Sequence, residues 1–380
     1  MGPNPFIGVV FHWIGGLASA SCYLPFRGIR RWSWEIYWLL QGVFSWIIAP
    51  LFFAGLLVPG LFSVLHAAPA SSLFYAWFWG LLWGVGGLTF GLSVRYLGIA
   101  LGYPIALGLC TAFGTLMPPI FSGQMGAIAH STSGQVILLG IGVCMAAIVV
   151  SGAAGKSKES ELTAEEKQAT VEEFSYPKGL AVAIFAGIMS ACFAYGLAAG
   201  KPIAEIARVR LAANGRADLW QNLPVLVVVL WGGFMTNFLW CAWLIMKNRS
   251  VAQYAGEAAD GGSPVQGRAL LMNYFMAAVA GVTWYFQFFF YSIGQTKMGK
   301  YDFSSWTLHM ASIILFSTIW GIMLKEWRGT SSRTRWLVGF GIFLLIASTV
   351  IVGYGNYLKV GEDSAKPVAT SFLRGTPARY

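Results

Sequence analysis

The sequence predicts an all-α integral membrane protein of ten transmembrane helices, arranged as two inverted five-helix repeats. Three observations carry this expectation. The 380 residues are 57% hydrophobic and only 11% charged, with a mean hydropathy of +0.63, whereas a soluble domain carries about 25% charged residues. Apolar runs of the length a bilayer demands, about 20 residues per helix, recur along the chain. The one long polar connection, residues 153–176, has five such runs on each side.

The spans read at 6–24, 36–58, 73–94, 100–120, 134–152, 177–197, 222–246, 270–293, 303–324 and 336–355. The first is followed by a basic patch with no small-residue cleavage site, so it reads as a span and not as a signal peptide. Short connections rich in Gly, Ser and Pro at 59–72 and 121–133 separate spans two from three and four from five. The charged stretch 153–176 lacks apolar periodicity and reads as a flexible linker. The connection after span six, KPIAEIARVRLAANGRADLWQ, is long enough for a surface helix. The domain reading is therefore a first repeat at 1–152, a cytoplasmic linker at 153–176, a second repeat at 177–357 and an extracytoplasmic tail at 358–380.

Lysine and arginine placement sets the orientation. Loops 59–72 and 121–133 hold neither residue, while the alternate loops carry Arg27, Arg30, Arg31, Arg95, Lys247, Arg249, Arg268, Lys325, Arg328, Arg333 and Arg335. The basic loops are placed in the cytoplasm and both termini in the periplasm. This distribution also accounts for the net charge of +10 without a nucleic-acid partner. The five cysteines lie inside apolar runs and read as small core residues with no disulfide framework.

Span one contains Gly16-x-x-Ser19-Ala20-x-Cys22, and span six, the first of the second half, contains Gly187-x-x-Ser190-Ala191-Cys192. Five spans per half is an odd number, so successive halves enter the membrane from opposite faces. That is a common transporter architecture with a site near the midplane. Small residues that merely allow close helix packing are the plainer explanation of the match.

Charged groups inside a bilayer are expensive, about 2.5–3.5 kcal/mol on insertion scales, so those retained in spans form a short list. Glu35, Asp302 and Glu326 are the acids at span boundaries, and His12 and His309 are the histidines within spans. Asp302, Ser305, Trp306 and His309 follow helical spacing and share one face. Asp302 reads either as a helix N-cap or as a proton carrier. Glu35 begins a second polar stripe with Trp38 and Ser45, and reads alternatively as a first-turn acid favoured by the helix dipole. Glu326 reads as an interfacial ion pair. Gln287 stands among the aromatics of VTWYFQFFFYSIG with Tyr291 one turn on, and Asn237 is an isolated amide in GGFMTNFLWC. An amide among rings suits a sugar, whose hydroxyls pair with the amide while rings cover its C–H faces. Interhelical hydrogen bonding is the structural alternative for both amides. No P-loop, dinucleotide fingerprint, HExxH, CxxC or GxSxG is present. The expectation is a transporter, not an enzyme, with no cofactor and no metal.

In order along the chain, RRWSWE (30–35), TWYFQFFFYSIG (283–294), YDFSSWTLHM (301–310) and LKEW (324–327) resemble the L-rhamnose–proton symporter family of the drug/metabolite transporter superfamily. The likeness runs from FHWIGG in span one to span ten. It implies a bacterial inner-membrane protein with ten helices in two inverted halves, importing L-rhamnose with a proton. The positions that match are His12, Trp34, Glu35, Trp38, Ser45, Trp46, Lys201, Asn237, Gln287, Tyr291, Tyr301, Asp302, Trp306, His309, Lys325 and Glu326. Of these, His12, Trp38, Ser45, Asn237, Gln287, Tyr291, Trp306 and His309 are expected at the sugar, and Glu35, Asp302 and His309 at proton coupling. The chain departs from the pattern at GVGGLTFG in span three, which lacks an expected polar residue, in a longer and more acidic linker, and in an extended tail. Transport or export of a different metabolite of the superfamily is the alternative.

Overall fold

The computed structural model describes residues 2–97, 99–161 and 175–365, and every regular element among them is helical. They are α1 (Pro5–Ser21), α2 (Trp34–Val43), α3 (Ala49–Leu57), α4 (Leu61–Ala67), α5 (Ala70–Leu97), α6 (Ile99–Phe121) and α7 (Met125–His130). There follow α8 (Thr132–Ser160), α9 (Tyr176–Ala199), α10 (Lys201–Ala213), α11 (Leu223–Asn248), α12 (Arg268–Lys297), α13 (Ser305–Met323) and α14 (Ser332–Ala365). Among the described residues, nine helical stretches are long and apolar enough to cross a membrane, and α6 adds a shorter apolar stretch, Ile105–Phe121. The chain is a multi-pass membrane protein. Large apolar side chains such as Phe52, Leu139, Val149 and Phe343 point outward, as lipid contact requires.

Several boundaries differ from the sequence expectation. Residues 153–160, expected in a flexible linker, extend α8 by two turns, and 162–174 lie outside the described residues. Residues 358–365, expected in the tail, continue α14, and 366–380 lie outside the described residues. The connections 59–72 and 121–133 contain the short helices α4 and α7, whose last turns carry His66 and His130. The predicted surface helix is present as α10.

The second span is not one regular helix. A π-turn at Phe44–Ile48 joins α2 to α3, with Pro50 just beyond it. Proline has no N–H and its ring crowds the carbonyl four residues back, here that of Trp46. Widening the turn removes the conflict, as π-bulges commonly do at functional sites. It also lays the Trp46 ring over Gly42.

Helices of the two halves of the chain interleave. α1 packs on α12 and α13, α5 on α9 and α11, α6 on α9, the α2–α3 segment on both α11 and α12, and α8 on α14. Glycines set the closest approaches. Cβ atoms on Gly80 and Gly232 would run into the carbonyls of Val229 and Trp77, so α5 and α11 touch backbone to backbone. Gly15 meets the Gln287 carbonyl at 2.8 Å from its ideal Cβ position, and Gly16 meets Ser312. Such small-residue seams supply the dispersion contacts that hold helices together in lipid. Gly16→Leu is expected to lower stability by about 1–3 kcal/mol through overpacking of α1 on α13, measured as a fall in thermal midpoint in detergent. An unchanged midpoint would mean that the seam yields freely.

Candidate solute-binding site

A cavity of about 590 Å³ lies where α2, α5, α6, α9, α11, α12 and α13 converge. That volume falls within the usual range of small-molecule sites, about 300–1,000 Å³. Its walls are largely indole: Trp38, Trp46, Trp83, Trp284 and Trp306 all line it. Trp46 sits edge-on to Trp284 with centroids 5.3 Å apart and edge-on to Trp83 at 6.5 Å. Trp306 is anchored from the side by its Nε1–H, which donates to the Cys110 carbonyl at 3.1 Å. Gly114 leaves the space for that indole, since any Cβ there would strike it.

The polar groups on this apolar wall are few. Gln287 lines the cavity at 4% exposure and makes no hydrogen bond to another described residue. His309 also lines it, and both ring nitrogens are buried without a partner. Asn237 is already engaged: its Oδ1 accepts from Trp38 Nε1 at 3.1 Å, and its Nδ2 donates to the Gly233 carbonyl at 2.9 Å. It therefore ties α2 to α11 while facing the cavity. Buried polar groups are normally paired, and the amide of Gln287 and the imidazole of His309 depart from that rule at the cavity wall.

His12 stands behind this wall. Its ring is fully buried, both nitrogens lack partners, and it lies edge-on to Tyr291 at 5.2 Å. Tyr291 in turn lies edge-on to His309 at 5.2 Å. His12, Tyr291 and His309 form a column running from α1 through α12 to α13. Gly294 makes it possible, because a Cβ there would lie 3.0 Å from His12 Nε2.

The cavity reaches the surface beside Tyr23 and Trp34, at the end of the bundle that carries the loop Arg27–Arg31. Toward the other end it is closed by stacked rings. Phe193 packs on Phe288 at 4.1 Å and on Trp306 at 5.6 Å, and Tyr291 completes the layer edge-on to Trp306 at 5.9 Å. Beyond this layer lies a second recess, about 290 Å³, containing Lys201, Asn222, Gln295 and Asp302. Gln287 and Gln295 are two turns apart on α12, about 12 Å at 1.5 Å per residue, which gives the thickness of the seal.

Asp302 lines that second recess, whereas His309 lines the larger cavity. A 3₁₀ turn with non-helical angles at Tyr301 precedes α13, and the first helical residue is Ser305. The carboxylate faces Lys201 Nζ at 3.7 Å, and the N-cap of α13 is Ser304, not Asp302. Ser305, Trp306 and His309 do share the buried face of α13. Glu35 and Ser45 do not line the cavity. Glu35 accepts from Asn248 Nδ2 and Ser250 Oγ, both at 3.0 Å, and so holds α2 to the end of α11. Ser45 is buried inside the π-turn, with its hydroxyl 3.4 Å from the Gly42 carbonyl. Glu326 pairs with Arg27 at 3.4 Å, bridging the ends of spans one and nine.

Sequence reasoning missed the face that α5 gives the cavity. Gly84, Gly87 and Gly91 line it, and a Cβ on Gly87 or Gly91 would meet open space. The stretch GVGGLTFG, conspicuous for its lack of a polar residue, contributes room instead. The signal was available as glycines at i, i+3 and i+7, one helical stripe.

A helical membrane bundle with a solute-sized, aromatic-walled cavity, reaching one end and sealed from the other, has the arrangement of a transporter. Residues 1–357 match the family described as L-rhamnose-proton symport protein (RhaT). The chain belongs to that family. It is 33% identical over 350 residues to the L-rhamnose-proton symporter of Cronobacter sakazakii, covering 92% of this chain and 97% of that one. The corresponding proteins of Shigella sonnei and Escherichia coli are 34% and 33% identical over the same length. The family is one of transporters and not of enzymes.

Proposed function

We propose that this protein imports L-rhamnose, or a closely related deoxyhexose, across the bacterial inner membrane in symport with protons. The observation that carries the reading is the cavity: unpartnered Gln287 and His309 set among tryptophans, in a chain similar along nearly its whole length to L-rhamnose-proton symporters. A 6-deoxyhexose has hydroxyls for the amide and imidazole, and a methyl group and C–H faces for the indoles. Gln287→Leu is expected to weaken sugar binding about tenfold, the loss of one buried hydrogen-bonded partner at about 1–3 kcal/mol. Tryptophan-fluorescence titration reads this directly, and an unchanged affinity would remove Gln287 from the site.

The proposed mechanism is alternating access of ten spans in two inverted halves, with both termini periplasmic. The helix contacts support the repeat. Exchanging each span for its counterpart five places on turns the α1–α12 and α1–α13 contacts into α9–α5 and α9–α6, and leaves the α8–α14 pair in place. The matched glycines follow: Gly16 abuts Ser312 on α13, and Gly187 abuts Leu109 on α6. The drug/metabolite superfamily shares this proposed architecture. With the cavity open beside Tyr23 and Trp34, the conformation is the inward-facing one in this orientation. Outward opening requires the Phe193–Phe288–Tyr291–Trp306 layer to part.

We assign proton coupling to Asp302 and His309, on opposite sides of that layer. A carboxylate's pKa rises on desolvation and falls beside a cation, so Lys201 approaching or leaving Asp302 changes its proton affinity within the cycle. Glu35 enters the cycle if α2 exchanges the Asn248 and Ser250 bonds as it moves against α11. The reading is tested with purified protein in liposomes. Addition of L-rhamnose outside is expected to alkalinise the medium, and no pH change alongside sugar uptake would exclude symport.

A further inference from the structure

At the bundle end that carries the basic loops, a second groove lies outside the transport path. It has a volume of about 470 Å³ and sits between the end of α13 and the start of α14. Lys325, Arg328 and Arg335 line its outer part, and Ile322, Val338 and Ile342 line the remainder. Among the described residues, no carboxylate lines it. Glu326, next to Lys325, turns away to Arg27, and Glu161 accepts hydrogen bonds from Ser331 and Thr334. Among the described residues, Lys325 and Arg328 have no ion-pair partner. Arg335 makes one long bond to Ser332 Oγ, 3.4 Å, and lies close enough to feel the Glu161 charge.

We propose that this groove binds an anionic phospholipid, its headgroup phosphate on Lys325 and Arg328 and an acyl chain along Ile322, Val338 and Ile342. Charge and shape both select that occupant. Uncompensated cations face one end of the groove, and basic pockets beside membrane helices attract anionic headgroups. From Arg335 to Ile342 the wall follows α14 for about 10 Å at 1.5 Å per residue, passing from charge to hydrocarbon depth. A free phosphate would use the first part only and leave the apolar part empty. Beside the groove, Ile322, Met323 and Phe343 are exposed apolar side chains, and Trp336 adds an exposed indole at the level of the cations. These features place the groove at the bilayer interface. The turn that presents the cations is tight: Lys325 and Gly329 both have positive φ, 63° and 80°.

The test uses the full-length protein in detergent, incubated with equal amounts of phosphatidylglycerol and phosphatidylethanolamine and analysed by native mass spectrometry. Retention of phosphatidylglycerol is expected to exceed that of phosphatidylethanolamine by about fivefold or more, from headgroup attraction to two or three basic residues. The double variant Lys325→Gln/Arg328→Gln should lose most of this preference, and Lys300→Gln at the opposite end should keep it. As a measurement independent of any variant, acylation of Lys325 in the native protein should be slowed by phosphatidylglycerol and not by phosphatidylethanolamine or inorganic phosphate. Equal retention of the two lipids, or a preference unchanged in the double variant, overturns the proposal. Equal protection of Lys325 by inorganic phosphate overturns the lipid assignment.

Discussion

Asp302→Asn is expected to abolish gradient-driven accumulation of L-rhamnose while preserving exchange of sugar down its own gradient. The reason is that the asparagine keeps the shape of the side chain and its contact with Lys201 but cannot gain or lose a proton. Asp302 lies in the second recess, separated from the larger cavity by the Phe193–Phe288–Tyr291–Trp306 layer. Its loss should therefore leave affinity measured from the cavity side within about threefold, below the effect of one buried hydrogen bond. Counterflow and pH-jump uptake in the same proteoliposomes separate the two quantities. Accumulation equal to that of the unaltered protein would transfer the coupling role to His309 or Glu35. His309→Gln is the companion variant, because His309 lines the cavity and also joins the column through Tyr291 to His12. It should reduce both binding and accumulation.

Gly87→Leu is expected to eliminate sugar binding without harming the fold. Nothing lies within 4 Å of a Cβ built on Gly87, and the residue lines the cavity opposite α12 and α13. The new side chain therefore enters the solute's space and not a helix seam. Replacing glycine by leucine in a helix favours the helical state by about 0.5–1 kcal/mol, so the thermal midpoint should hold or rise. Binding should become undetectable at sugar concentrations about a hundredfold above the native dissociation constant, as steric exclusion from the site requires. The same substitution at Gly16 should have the reverse pattern, lowering stability because the neighbouring chain is Ser312. A Gly87→Leu protein that binds sugar normally would show that the solute sits away from α5.

The contrast between these two glycines shows what was legible. Hydropathy located the spans because backbone and side chains in lipid obey a severe and local rule: about 20 apolar residues per crossing, with every peptide group bonded within its own helix. The polar residues that survive this rule are few enough to inspect one by one. For that reason His12, Gln287 and His309 stood out before any geometry was known. Asn237 stood out equally, and its bond to Trp38 exemplifies the interhelical alternative. The spacing rule assumes one continuous α-helix, and Asp302 lies before it. Residues 299–304 are wound as a 3₁₀ turn, three residues per turn, and the α-helix begins only at Ser305. The rule failed at Ser45, where the π-turn ahead of Pro50 places Trp46 in the cavity and leaves the serine within the helix wall.

By itself the sequence determined that this is a multi-pass helical membrane protein, which polar side chains its spans retain, and, through its resemblance, the family to which it belongs. Each of those follows from composition or from residues near one another in the chain. Only the tertiary structure decided which of the retained residues meet. Gln287, Trp306 and His309 share a cavity, Asp302 finds Lys201 beyond a layer of rings, and Glu35 is held by Asn248 and Ser250. The physical reason is that these meetings depend on the backbone approach that glycines allow between α1, α12 and α13 and between α5 and α11. A glycine's effect depends on what the fold places opposite its missing side chain, either a neighbouring helix or open space.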